Sequence, residues 1–246
     1  MLLRALWFLA VICAFPGSAS ADSWVAPQVK EVFNASRDHF VRVIPGTSWG
    51  ETFGFAGAAK GAHAKAEFYQ RQGDRSYRLM HIVELLNPVA PAEFFVSNAG
   101  RLATIDNWHN RGYGSVIAIY SPQGNLVKAY ALADLFSPAE IGAFPHSVSS
   151  AHWHRGPVYI NQDQRTLYVM IESGRDLVIG LETGRFAYCE TRGGNYVCRA
   201  SNTERRWLPY TYSETWESAH DAHGRRLLAQ EQRPSREGAD PRLWIA

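Results

Sequence analysis

The most constraining feature of this 246-residue sequence is the stretch from Phe94 to Leu132, where short apolar segments alternate with tight-turn signals. Ser97-Asn98-Ala99-Gly100 and Ser121-Pro122-Gln123-Gly124 share a format, with Ser first and Gly fourth. Pro122 stands where a type I turn wants a φ near −65°. Leu102 to Ile105, Ser115 to Tyr120 and Leu126 to Tyr130 are rich in β-branched, aromatic and small apolar residues, and read as antiparallel strands. The run Val116 to Tyr120 is apolar without alternation, so both of its faces should be covered, as in a strand packed between neighbouring sheets. A buried helix competes with that reading, but the run is too short and too tightly bounded by Gly and Pro.

The same format recurs on either side. Phe40 to Ile44 reads as a strand stopped by Pro45-Gly46, and Ala66 to Gln70 and Tyr77 to Val83 bracket a turn at Gln72 to Arg75. A third unit comprises Val158 to Ile160, Thr166 to Ile171 and Leu177 to Leu181, with turns at Asn161 to Arg165, Ser173 to Asp176 and Thr183-Gly184. Between units, Ser137-Pro138-Ala139-Glu140 predicts a short helix: Ser caps, Pro takes the first turn, and Glu follows the cap by three. His146 to His154 is then a candidate strand leading to Gly156-Pro157. Trp49 to Ala64 shows no clear period and reads as a long loop. Val29, Val32 and Phe33 lie at helical spacing, so residues 22–36 predict a brief helix or an ordered lead-in arm.

Units of roughly 40 residues have the spacing of propeller blades. The expected fold is all-β, with antiparallel, β-propeller-like strand repeats and a short helix near Ser137. Only about three units are recognisable where a closed propeller usually needs four or more, so a partial or open stack of the same sheets is equally compatible. Across the organising stretch, the pattern VSN-G-L-T-DNWH, GYG and IYSPQGNLVKAYAL-DL resembles a family of uncharacterised exported bacterial proteins with β-propeller-like repeats. More loosely, it is similar to propeller blades. The resemblance covers about a sixth of the chain and implies fold, not chemistry.

Export is read from the amino terminus. Arg4, an apolar run from Ala5 to Phe15, Pro16-Gly17 and Ala19-Ser20-Ala21 predict a signal peptide over residues 1–21, cut before Asp22. The run is shorter than the ~20 residues a spanning helix needs, so no stable membrane insertion is expected after cleavage. Residues 22–246 then form a single secreted or periplasmic domain, with 228–246 a loosely ordered tail. Cys13 is lost with the signal segment, and Cys189 and Cys198 flank Gly193-Gly194, so a hairpin can bring them together. In an oxidising compartment they should pair, stabilising the fold by ~2–3 kcal/mol. No second Cys pair or nearby His completes a zinc site around them. A net charge of +2 argues against a nucleic-acid partner held by bulk electrostatics.

Two local patterns carry candidate chemistry. In the polar and aromatic connection Asp106 to Gly114, the residues Asp106, Trp108, His109 and Tyr113 suit a ligand-binding loop, the rings supplying flat contact area and the polar groups direction. Alternatively, Trp108 plugs the core and Asp106 caps the loop backbone. His152-Trp153-His154 places two imidazoles on one face of a strand, where His152 and His154 can approach one metal with His146, His109 or Asp106 as a third ligand. His220 and His223 form a weaker pair. The sequence has no G-x-S-x-G elbow, H-E-x-x-H helix, P-loop or dinucleotide turn. The expectation is a binding or scaffold protein that recognises a protein or glycan partner in the cell envelope through loops, without a cofactor. The alternative is a metal-dependent periplasmic hydrolase in which a divalent metal on His152 and His154 activates water.

Overall fold

A computed structural model describes residues 25–52, 55, 57–161, 163–199, 208–209, 211–212 and 231–232. The expected signal peptide, the His220 and His223 pair and nearly all of the expected tail lie outside these residues. The described chain is mostly β, arranged as successive antiparallel sheets. The first holds β1 (Lys30–Phe33), β2 (His39–Ile44), β3 (Lys65–Arg71) and β4 (Tyr77–Glu84) in chain order. The second holds β5 (Pro91–Val96), β6 (Leu102–Asn107), β7 (Ile117–Tyr120) and β8 (Leu126–Tyr130), again in order. After the helices α1 (Leu132–Leu135) and α2 (Pro138–Ala143) comes a third sheet. It contains β9 (His154–Ile160), β10 (Thr166–Ile171), β11 (Asp176–Gly180), β12 (Phe186–Arg192), β13 (Asn195–Arg199) and the two-residue β14 (Leu208–Pro209). Between sheets, backbone approaches within 8 Å run chiefly from β1 and β2 to β5 and from β5 to β9. The sheets therefore fan out from their first strands, a propeller-like arrangement.

The middle sheet is covered on both faces, as the unalternated run Val116 to Tyr120 predicts. Ile117 and Ile119 pack with Leu167, Val169, Ile171, Leu177 and Ile179 of the third sheet. Ala118 and Tyr120 turn the other way, joining Val41, Val43, Ala66 and Phe68 of the first. Each fully buried aliphatic side chain contributes about 1.5–3 kcal/mol. The two predicted turns form as expected: Gly100 and Gly124 donate to the carbonyls of Ser97 and Ser121, and both glycines adopt a left-handed φ. The helix at Ser137 also forms, with Ser137 Oγ accepting from the Glu140 amide and the Glu140 carboxylate accepting from the Ser137 amide.

Three elements differ from the sequence reading. Residues 30–33 form an edge strand, because Glu31 meets Arg42 and Phe33 meets Phe40 across the β1–β2 ladder. The strand expected before Gly156-Pro157 instead begins at His154 and runs through them. Pro157 is tolerated because β9 edges its sheet, where its missing amide and a register irregularity cost little. Helix α1 covers residues to which the sequence reading assigned no element, and it buries Leu132 and Leu135.

Alternating strand direction divides the molecule into two ends. At the lower end lie the tight turns β1–β2, β3–β4, β5–β6 and β7–β8, where the amide and hydroxyl of Ser36 donate to Asn98 Oδ1. The longer connections β2–β3, β4–β5, β6–β7 and β8–β9 gather at the upper end. In the third sheet Gly193 and Gly194, both at positive φ, turn the chain so that Cys189 lies directly opposite Cys198. The two are joined by a disulfide and wholly buried.

Replacing both Cys189 and Cys198 by Ala is expected to lower the unfolding free energy by ~2–3 kcal/mol, read from urea titrations of the oxidised and variant proteins. His39 yields a second expectation. Burial beside Gly100 pushes its imidazole below the ordinary histidine value, more than nearby Asp38 raises it. The unfolded chain therefore takes up this proton first, so the contribution is complete above about pH 6.5 and is lost as the pH falls through the folded value. His39→Asn should flatten that part of the stability profile between neutral and mildly acidic pH, measured by thermal melts across the range.

Candidate functional site

The four upper connections are stitched together by their own backbones. Gly46 donates to the Val89 carbonyl, Trp108 to that of Ala90, and Ala151 to that of Arg111. Loop amides paired in this way hold the surface they carry at a fixed geometry.

At the centre stands Asp106, 1% exposed and in a left-handed conformation with φ 54°. Asp is among the few non-glycine residues that tolerate this region. Its Oδ1 accepts from the Gly112 amide and from Trp153 Nε1, both at 2.9 Å, and its Oδ2 accepts from His154 Nε2 at 3.1 Å. The His154 side chain is itself only 9% exposed, so the carboxylate is enclosed by three hydrogen-bond donors away from solvent. The backbone of Asp106 is held as well: its amide donates to Val116 and its carbonyl accepts from Asn87 Nδ2. Asn87 also donates to Asn107 Oδ1, while Asn107 Nδ2 donates to the Tyr113 carbonyl at 2.7 Å. Gly112 is required here, because φ is +79° and a Cβ would come within 2.6 Å of the Ala151 carbonyl.

Asp106 thus caps its own loop and also binds the segment leading into β9. Trp108 is half-buried, and His109, left-handed at φ 65°, meets the Phe55 ring edge-on with centroids 4.5 Å apart. Phe55 in turn lies 5.1 Å from Trp49. Tyr113 is 36% exposed at the loop tip. Below them His63 Nδ1 donates to the Leu85 carbonyl and Nε2 meets the Glu51 carboxylate at 2.6 Å. That hydrogen bond, with Lys60 nearby, holds the Glu51 carboxyl below its ordinary value. The sequence reading missed Trp49, Phe55, Asn87 and Trp153, whose roles depend on contacts from elsewhere in the chain.

The histidines are dispersed. His146 and His152 are exposed, His109 packs on Phe55, and His154 is engaged by Asp106. Residues 151–153 precede the ladder, so strand alternation does not govern where His152 and His154 project. Among the described residues no group of three or more His, Cys, Asp or Glu is placed to hold a metal ion.

No family model and no curated protein matches the sequence. Among solved structures the chain is similar to BamB from Moraxella catarrhalis, with 12% identity and a TM-score of 0.34, over 72% of this chain and 48% of that one. The chain spans about half the length of that BamB chain. No helix among the described residues is long and apolar enough to cross a membrane.

Asp106→Ala should destabilise the protein by about 3–5 kcal/mol, because it strips a buried imidazole and a buried indole of one shared acceptor. Asp106→Asn keeps an oxygen for Gly112 and Trp153 and should cost less. Urea unfolding monitored through tryptophan fluorescence compares the two.

Proposed function

We propose that this chain is an exported binding or scaffold protein that recognises a protein or glycan partner in the cell envelope through the loops at the upper end of its sheets. The observation that carries this reading is the pair of non-glycine residues held left-handed in one loop, Asp106 and His109. Arg37, Arg75 and Gln164 take the same conformation singly in tight turns, whereas two in one connection concentrate a cost of order 1–3 kcal/mol each, which persists where the surroundings over-determine it. Here Asp106 is locked by buried hydrogen bonds, and His109 packs its ring on Phe55 in the connection that also carries the exposed Tyr113. Aromatic rings fixed on a rigid scaffold bind with little loss of side-chain freedom. The envelope location rests on the amino-terminal pattern from Arg4 to Ala21 and on the disulfide.

Tyr113 is the residue to alter, since it is exposed and its loss leaves the Asp106 contacts in place. The purified mature chain is tested by surface plasmon resonance against a panel of envelope polysaccharides and envelope proteins, followed by Tyr113→Ser on whatever binds. The expected outcome is at least a roughly tenfold loss of affinity with unchanged melting temperature, as for an aromatic anchor. A partner bound equally well by Tyr113→Ser and by His109→Asn places recognition elsewhere on the molecule.

A further inference from the structure

The large apolar side chains left exposed are not scattered evenly. Leu79, Met80 and Ile82 all belong to β4, and Leu86 follows it. At eight residues β4 is the longest strand described, and it edges the first sheet, with β3 as its neighbour on one side and no described strand on the other. A long edge strand bearing apolar side chains and a row of unpaired backbone groups is a template for another strand.

A bulge gives this edge an unusual symmetry. Met80 has no partner on β3, so Leu79 stands opposite Tyr69 and Ile82 opposite Glu67. Val41, Val43, Ala66 and Phe68 fill the core on the inner face, which puts Tyr69 and Glu67, and hence both Leu79 and Ile82, on the outer face. Without the bulge, residues three apart would project to opposite faces. Tyr77 and Glu84 share that outer face, opposite Arg71 and Lys65. The strand therefore reads Tyr77, Leu79, Ile82, Glu84 along one face, with its mid-point between Met80 and His81.

From this we infer that β4 pairs antiparallel with β4 of a second copy of the chain about a two-fold axis, joining two first sheets edge to edge. In the register centred between Met80 and His81, Leu79 meets the partner's Ile82 twice, and Tyr77 meets the partner's Glu84 twice. Arg78 meets the partner's Val83, so no like charges oppose one another. A shift by one residue sets outer-face Leu79 against inner-face Val83 and breaks the match. The pairing is isologous, as a two-fold dimer requires, and it covers Leu79 and Ile82, which are 42% and 57% exposed in the single chain. It uses the side of the first sheet and leaves the upper loops free, so it stands apart from the function proposed for them.

The test is sedimentation equilibrium of the mature chain over a wide concentration range, together with Ile82→Lys. The expected result is a monomer–dimer equilibrium whose dissociation constant rises at least tenfold in Ile82→Lys, with circular dichroism and melting unchanged. Register is read by mixing Leu79→Cys and Ile82→Cys chains under mild oxidation: the mixed disulfide should form in preference to either homodimer. A chain that stays monomeric throughout overturns the inference, as does a dimer unaffected by Ile82→Lys. So does a monomer whose β4 amides become protected from hydrogen exchange only on adding an extended apolar peptide, which makes the edge a docking strand for other chains.

Discussion

The upper half of the molecule depends on one buried carboxylate. Asp106 sits at the end of β6, and its two oxygens take hydrogen bonds from its own loop at Gly112 and from two consecutive residues of a distant segment, Trp153 and His154. A carboxylate buried this deeply is tolerated only when hydrogen bonds compensate the loss of water. The compensation therefore dictates the geometry. Trp153 must enter the core with its indole nitrogen turned toward Asp106, and the start of β9 must follow it. The second and third sheets, which apolar packing alone would allow to slide, are thereby fixed in register at one end.

Apolar packing does the rest, and it is less selective. Ile117 and Ile119 face one neighbouring sheet, Ala118 and Tyr120 the other. A strand buried on both faces needs no polar face and therefore shows no alternation, which is why the sequence of β7 announces its position in the stack. Polar groups among these layers are few and placed. Tyr120 accepts the Leu86 amide through its hydroxyl, and burial pushes its phenol above the ordinary tyrosine value. Tyr130 is pushed up to about 12 by burial first and by Asp134 second, with its hydroxyl donating to the Gly184 carbonyl. Such phenols stay neutral, one accepting and one donating, and tie sheets to connecting loops without a charge to compensate.

What was legible in the sequence follows from this division. Turns with Ser first and Gly fourth, the capped helix at Ser137 and the strand-rich units are local chemistry, and they appear where the residues place them. The disulfide was legible because Gly193-Gly194 makes its partners neighbours. The lead-in strand β1 was not, since four residues with weak local preference become a strand only when β2 offers Arg42 and Phe40 as cross-strand partners. Asp106, Trp108, His109 and Tyr113 stand out in the sequence as one polar and aromatic connection, but the partners that hold Asp106 do not. Its decisive contacts join residues 47 and 48 positions apart in the chain. Periodicity also misleads at His152 to His154, because alternation describes a paired strand, and the backbone there is paired differently: Trp153 donates to Ala151, and its carbonyl accepts from Glu172.

The two ends of the sheets solve different problems with the same backbone. At the lower end short turns close hairpins through a left-handed residue, Arg37 or Arg75 in the first sheet and Gly100 or Gly124 in the second, and Gly100 fits because the His39 ring occupies the space a side chain would take. At the upper end the chain must cross between sheets, and the connections are too long for turn chemistry to specify. Their conformation is set instead by polar groups that reach across from one connection to the next, Asn87 to Asn107 and Asp106 to Trp153. That arrangement makes the upper surface stiff without being regular, so aromatic rings can be presented at chosen positions. Hairpin turns hold single non-glycine residues left-handed, Arg37, Arg75 and Gln164 among them, but the β6–β7 connection holds two, Asp106 and His109. The same comparison accounts for the first sheet's exposed edge. Among the described residues the β7–β8 turn meets β4 at Val83, on the inner face, and no strand pairs along its free edge, so its outer apolar residues are left for whatever strand can match their spacing.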